Sequence, residues 1–325
     1  MELVDRHRRV EPALLKRYLT AYGQHFDYWK TVSRKHGVLL ARVPARVNAV
    51  AGLGYVFTNP APRARLLRPL LCELMRRVLN NPHSLLILQN NDDVLAFQQA
   101  QIADSRYVRL IKGSGVDTQR FQPAGATIQP KGEKRVLLAS RLLWDKGIAE
   151  YVEAARQLRI AGLSLRFQLA GVPDPGNPAS IPQAQLNAWE AEGVVELLGQ
   201  VEDMGARYAQ TDMVVLPSYR EGLPKSLIEA AACGLPLVTT DVPGCREVVT
   251  NGIDGLIVPA RDARALANAI CQLHEHPEWA RQLGREARKR AVTEFDERIV
   301  IEKTVAVYKE LLPELNIGAA DRLGD

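Results

Sequence analysis

Little in this chain supports a disulfide-stapled, metal-clustered or membrane-spanning protein. Its 325 residues include four cysteines, Cys72, Cys233, Cys245 and Cys271. None is spaced C-x-x-C, which argues against a disulfide frame or a metal site and for a reducing compartment. The six histidines form no ligand cluster. No apolar run approaches the roughly 18 residues of a membrane-spanning helix, and Met1 to Val10 is charged, with no apolar signal segment. Aromatic residues are scarce, at 6%, and no basic patch interleaved with aromatics suggests a nucleic-acid partner. What is present suits one or two ordinary domains. A hydrophobic content of 46% is ample for buried cores.

Charge is unevenly placed. Residues 1–120 hold 19 Lys+Arg against 9 Asp+Glu, a net of +10, and the remainder carries −5. A basic first part and an acidic second part suggest different partners. An anionic membrane surface or a lipid-linked phosphate suits the first part; a surface of ordinary basicity accounts for the same count.

From Lys134 onward the pattern is regular. Apolar strands near 135–139, 165–170, 194–198, 213–216, 235–240 and 256–258 alternate with helical stretches, which predicts a parallel, doubly wound sheet. Helices near 263–273, 278–293 and 296–312 close the chain. The first part is shorter, with strands near 47–50, 85–88 and 108–111 and helices near 63–80 and 92–101. Asn91 or Asp92 is expected to cap the second of these helices.

Two loops carry candidate chemistry. Arg141 and Lys146 lie in Ser140-Arg141-Leu142-Leu143-Trp144-Asp145-Lys146-Gly147, after the apolar run Val136-Leu137-Leu138-Ala139. That places them at the carboxyl end of a strand, where open α/β sheets bind ligands. A guanidinium grips phosphate oxygens in a fork and an ammonium adds a point charge. The second loop is Glu221-Gly222-Leu223-Pro224-Lys225-Ser226-Leu227-Ile228-Glu229, fed by the strand Met213–Leu216. Pro224 is expected to open a helix, where its missing N–H costs nothing. The helix should run to about Cys233 and stop at Gly234. Backbone N–H groups at the start of this helix, with its positive end, are expected to offer the anion site a diphosphate needs. Glu229, over a turn into the helix, could reach a ligand's hydroxyls. Solvated surface charges are the plain alternative for each of these residues.

With these blocks in view, the chain resembles glycosyltransferase family 4, retaining nucleotide-sugar transferases of the GT-B fold. Arg141 to Gly147 looks like the family's Arg-Leu-x-x-x-Lys-Gly loop, and Glu221 to Glu229 like its Glu-x7-Glu motif. Asp241 to Val249, Asn251-Gly252 and Gly255 to Pro259 form a third similar block. Gly113 to Asp117, with Phe121 and Pro123, resembles the crossing between domains. The resemblance implies an α/β protein of two Rossmann-like domains with parallel sheets. The expected boundaries are 1–122 for an acceptor-side domain, 123–295 for a nucleotide-sugar domain and 296–325 for a helix and tail crossing back. About 120 residues are few for the family's first domain, and Met1 to Tyr28 does not resemble its opening strand and Gly-rich loop. That domain is therefore expected to be incomplete.

The resemblance further implies a hexose transferred from a UDP-sugar, with retention, to a glycan acceptor, such as one linked to polyprenyl diphosphate. Arg141 and Lys146 would neutralise the diphosphate, Glu221 would take sugar hydroxyls and Glu229 ribose hydroxyls. Gly222 and Leu223 would hold the donor, with Gly199 and Val201 near the base. Gly52 and Gly54, in Gly52-Leu53-Gly54-Tyr55, resemble an acceptor-side turn of members acting on lipid-linked bacterial surface glycans; a simple tight turn explains them equally. No catalytic metal or cofactor is implied, although Asp92-Asp93 superficially suggests a metal site. The implied location is cytoplasmic, peripheral on the inner membrane. A GT-B nucleotide-sugar epimerase and an inactive UDP-sugar-binding remnant are the rival readings.

Overall fold

The computed structural model describes residues 45–50, 62–124 and 133–313. The chain divides into two compact units, one formed up to Ser114 and from Glu297 onward, the other spanning Gly115–Asp296.

The first unit holds a parallel three-stranded sheet among its described residues, ordered β1 (Arg46–Val50), β2 (Ser84–Leu88), β3 (Val108–Leu110). Helix α1 (Pro62–Leu79) connects β1 to β2, and α2 (Asn91–Gln99) lies between β2 and β3. Strand β2 reads Ser-Leu-Leu-Ile-Leu and every residue is buried, as a central parallel strand requires. Side-chain alternation splits it between two cores. Leu86 and Leu88 pack with Leu79, Phe97 and Ile102. Leu85 and Ile87 pack with Ile111 and with Val300 and Val307 of the last helix.

The cap of α2 differs from expectation. Asn90, in extended conformation, accepts a 2.7 Å hydrogen bond from Asp93 N–H. Asn91 and Asp92 already lie within the helix, so their side chains are past the position from which a cap reaches the first free N–H groups.

The second unit contains β4 (Lys134–Ala139), α3 (Ile148–Ile160), β5 (Leu165–Ala170), α4 (Gln183–Ala191), β6 (Glu196–Gly199), α5 (Met204–Tyr208) and β7 (Met213–Leu216). It continues through α6 (Lys225–Ala232), β8 (Leu237–Thr240), α7 (Cys245–Val248), β9 (Leu256–Val258), α8 (Ala263–Glu275) and α9 (Pro277–Glu294). Helix α10 (Glu297–Leu311) follows, in the first unit. The six strands are all parallel, in the order β6-β5-β4-β7-β8-β9. The chain winds outward from β4 on one side, then restarts at β7 on the other. The crevice beyond the carboxyl ends of β4 and β7 is thus the topological switch point of a doubly wound sheet.

Both faces of this sheet are covered. Val136 and Leu138 pack with Tyr151, Val152 and Phe167 on one side. Leu137, Val214 and Leu216 pack with Leu227, Ile228 and Ala230 of α6 on the other. Helix α6 begins one residue later than expected. Pro224 precedes it in extended conformation, and its carbonyl accepts from Leu227 and Ile228 N–H. The ring's fixed φ serves this position as well as the first helical one, and the absent N–H is unneeded at either. The helix ends as expected: Gly234 N–H donates to Ala231 O and Leu235 N–H to Ala230 O, a paired closure of its last carbonyls.

Candidate active site at the sheet's switch point

After β4 the chain makes a short 3-10 turn, Trp144–Lys146, and enters α3 through Gly147 at φ +70°. A Cβ on Gly147 would lie 2.0 Å from the Pro217 carbonyl oxygen. The glycine therefore lets the loops after β4 and β7 touch backbone to backbone. Their contact brings Lys146 Nζ to 2.6 Å from Glu221 Oε1. The pair is largely covered, with side chains 16% and 13% exposed.

Ser218 Oγ donates to the same Glu221 oxygen at 2.6 Å, and Thr240 Oγ1 donates to the Ser218 carbonyl. The loop after β8 closes over them. Glu221 N–H donates to the Pro243 carbonyl, and Gly244, at φ +79°, lies against the Glu221 and Gly222 carbonyls. Beneath sits the buried Cys245 thiol, pushed up to about 12 by burial and then by the Glu221 charge. It is a neutral packing group here, since a reactive cysteine needs a lowered value.

Glu229 occupies a second position on this rim. It lies in α6 with 14% of its side chain exposed. Tyr208 Oη is 3.4 Å from its carboxylate and 3.1 Å from the Ser226 carbonyl. Burial raises the Glu229 pKa; Lys225, the Tyr208 hydrogen bond and Arg120 oppose that shift. A largely desolvated carboxylate over a turn into a helix, with Tyr208 as donor to one oxygen, gains from further donors.

Arg141 lies elsewhere on the same edge. Its guanidinium meets Asp174, beyond β5, at 3.0 Å and is 63% exposed. The structure thus joins Lys146 to Glu221 and gives Arg141 a separate carboxylate. Gly199 ends β6 at φ +62°, its carbonyl accepting from Gly171 N–H, and the space where a Cβ would stand is open. Val201 and Leu223 are partly buried against the core. Gly52 and Gly54 lie outside the described residues. Among the described residues no group of three or more His, Cys, Asp or Glu side chains is gathered as a metal site would need.

Sequence reasoning missed Ser218, Tyr208 and Thr240. Ser218 stood three residues before Glu221 and could have been read as a turn partner. Tyr208 and Thr240 gave no local signal, because their contacts join elements distant in sequence: α5 to α6 for Tyr208, and the end of β8 to the loop after β7 for Thr240.

The fold is GT-B, and residues 133–276 match the family described as glycosyl transferases group 1. Solved structures sharing the fold include a sucrose-phosphate synthase from Thermosynechococcus elongatus, with TM-score 0.72 and 24% identity, covering 93% of this chain and 79% of that one. Another is Anabaena Alr3699/HepE in complex with UDP and glucose, with TM-score 0.73 and 19% identity, covering 91% and 81%. Among curated relatives, the N,N'-diacetylbacillosaminyl-diphospho-undecaprenol alpha-1,3-N-acetylgalactosaminyltransferase of Campylobacter jejuni is 29% identical over 86% of this chain and 75% of its own length. The putative glycosyltransferase EpsD of Bacillus subtilis is 28% identical over 84% and 74%. The relatives are glycosyltransferases, which supports a transferase.

Proposed function

We propose that the protein transfers a hexose from a UDP-sugar to a glycan acceptor, with retention at the anomeric carbon. The observation carrying this reading is the covered Lys146–Glu221 pair at the switch point of the sheet. In the free protein each charge neutralises the other. A donor would replace both partnerships at once: Lys146 turns to the diphosphate, and Glu221 to the sugar's hydroxyls. Negative charge grows on the diphosphate as the glycosidic bond breaks, so a fixed ammonium there favours the transition state over the ground state. Arg141 would add a second cation after releasing Asp174. Gly222 and Leu223 amides would hold the donor, Glu229 would take the ribose hydroxyls, and Gly199 and Val201 would border the base. This reading assigns the diphosphate's charge to side chains and helix α6 and calls for no divalent ion or other cofactor. Retention would follow from attack on the face the leaving phosphate vacates.

The acceptor proposed is a glycan carried on a lipid diphosphate, met at an anionic membrane surface by the basic first unit. In support, α1 leaves Leu70 and Leu74 exposed. No helix of the described residues is long and apolar enough to cross a membrane.

The test is ligand-induced stabilisation followed by turnover. UDP at a hundred times its dissociation constant should stabilise the protein by about 2.7 kcal/mol. UDP release from UDP-hexoses should then depend on an added polyprenyl-diphosphate glycan. Absence of any thermal shift with millimolar UDP, GDP or ADP would rule out a donor site here.

A further inference from the structure

Tyr219 follows Ser218 in the loop that delivers Glu221, and it touches three other elements of the second unit. Its N–H donates to the Asp145 carbonyl at 2.8 Å, one residue before Lys146. Its hydroxyl bridges both carboxylate oxygens of Glu150, in the first turn of α3, at 2.7 and 2.8 Å. Its ring lies 3.9 Å below the guanidinium carbon of Arg261, in the loop between β9 and α8. The phenol is held protonated, because burial and then the Glu150 carboxylate push its pKa upward.

Arg261 is itself unusual. It has φ +63°, a left-handed conformation that among the described non-glycine residues is shared only with Gln101. Such a backbone is unfavourable for a side chain with a Cβ and persists where surroundings enforce it. The neighbouring Asp262 caps α8 through Ala265 N–H, fixing the chain on one side. The ring contact fixes it on the other, and a close guanidinium–tyrosine contact is attractive.

We propose that Arg261 is a positioning residue for the transfer site. It presses on Tyr219 and thereby holds the Ser218–Glu221 loop so that the Glu221 carboxylate meets Lys146. Arg261 does not itself touch the donor in this scheme. Tyr219 joins the loop after β4, the start of α3 and the loop after β9 into one support. The inference rests on the donor-site reading only for its effect on ligand affinity; the positioning of Glu221 stands apart from it.

The experiment uses the full chain labelled with carbon-13 at lysine Cε. The Lys146 resonance is assigned by its loss in Lys146→Arg, and its displacement on loss of the ion pair is calibrated with Glu221→Gln. Arg261→Ala should move that resonance toward the Glu221→Gln position. It should also raise the UDP dissociation constant about tenfold, the change equivalent to about 1.4 kcal/mol. Arg261→Gly, which accepts the positive φ freely, keeps the fold and should show the same two effects. If both variants leave the Lys146 resonance in place, the inference is overturned, whatever UDP does. If the parent binds no UDP but the resonance moves, the positioning stands and the donor-site reading falls.

Discussion

Lys146 and Glu221, 75 positions apart in sequence, meet at 2.6 Å across the two loops that flank the reversal of strand order. Each is the other's counter-charge, with Ser218 as a third partner on the same carboxylate oxygen. Removing one charge strands the other in a site closed to most water. Lys146→Met should destabilise the ligand-free protein by about 2 kcal/mol, below the full penalty for a broken buried pair because Ser218 still donates. Adding Glu221→Gln should recover most of that loss, as measured by urea unfolding of both single variants and the double. Strict additivity would show that the two residues are not coupled. Turnover of Lys146→Met should fall by about two orders of magnitude, as for loss of a fixed electrostatic stabiliser.

Glu229 should oppose stability where it serves binding. Burial places its folded pKa above the ordinary glutamate value of 4.5. The native state therefore holds the proton to higher pH than the unfolded chain does. Its contribution is most favourable below the ordinary value and is lost as pH rises through the raised one. Glu229→Gln should melt higher than the parent at pH 7.5, with the difference shrinking toward pH 4. The same variant should bind UDP about fivefold more weakly, because a neutral amide keeps only part of a hydrogen bond to a charged group. Equal melting at both pH values would contradict the linkage, and unchanged UDP affinity would remove Glu229 from the site.

The approach of the β8 loop to the site tolerates no side chain at Gly244. A Cβ there would stand 2.5 Å from the Gly222 oxygen and 2.7 Å from the Glu221 oxygen, on a backbone with φ +79°. Gly244→Ala should lower stability by about 2–3 kcal/mol through strain and displacement of that loop. Calorimetric titration with UDP should show weaker binding in parallel. A change under about 0.5 kcal/mol, the range of an inert surface position, would mean that the loop yields freely.

Membrane association can be separated into charge and insertion. The +10 balance of residues 1–120 predicts binding to anionic vesicles that weakens with salt, as exposed charges are screened within about 8 Å at physiological ionic strength. Leu70 and Leu74 are 71% and 51% exposed on α1, so replacing both with serine should leave the fold intact. It should lower vesicle affinity about tenfold or more, since burying one leucine contributes roughly 1.5–3 kcal/mol. Equal binding to neutral and anionic vesicles would remove the charge argument, and an unaffected double variant the insertion argument.

The second unit was legible because its strands are short apolar runs, each followed by a turn and a helix-period stretch. Lys146, Glu221 and Glu229 could be placed because each lies at a fixed offset from such a strand. The partners could not. Asp174 answers Arg141 from the loop after the neighbouring strand, and Tyr208 reaches Glu229 from 21 positions away. Strand order decides those meetings, and strand order is set by packing over the whole unit. Local errors were of another kind. Asn90 rather than Asn91 caps α2, and Pro224 stands one position before α6, because adjacent residues of similar propensity compete for a boundary that hydrogen bonds settle.

The pairing of Val116 with Phe295 and Asp296 bears on how the chain is made. It sets the entrance and exit of the second unit side by side, with Thr118 Oγ1 donating to the Asp296 carboxylate. Topologically, Gly115–Asp296 is an insertion within the first unit. On a ribosome the inserted unit can close as soon as Asp296 emerges, since both its ends are then in hand. The first unit must wait. Val300 and Val307 of α10 cover one face of β2, and they are synthesised after the whole of the inserted unit. Until they arrive, Leu85 and Ile87 lack that part of their cover, so the order of synthesis makes the first unit the later one to mature.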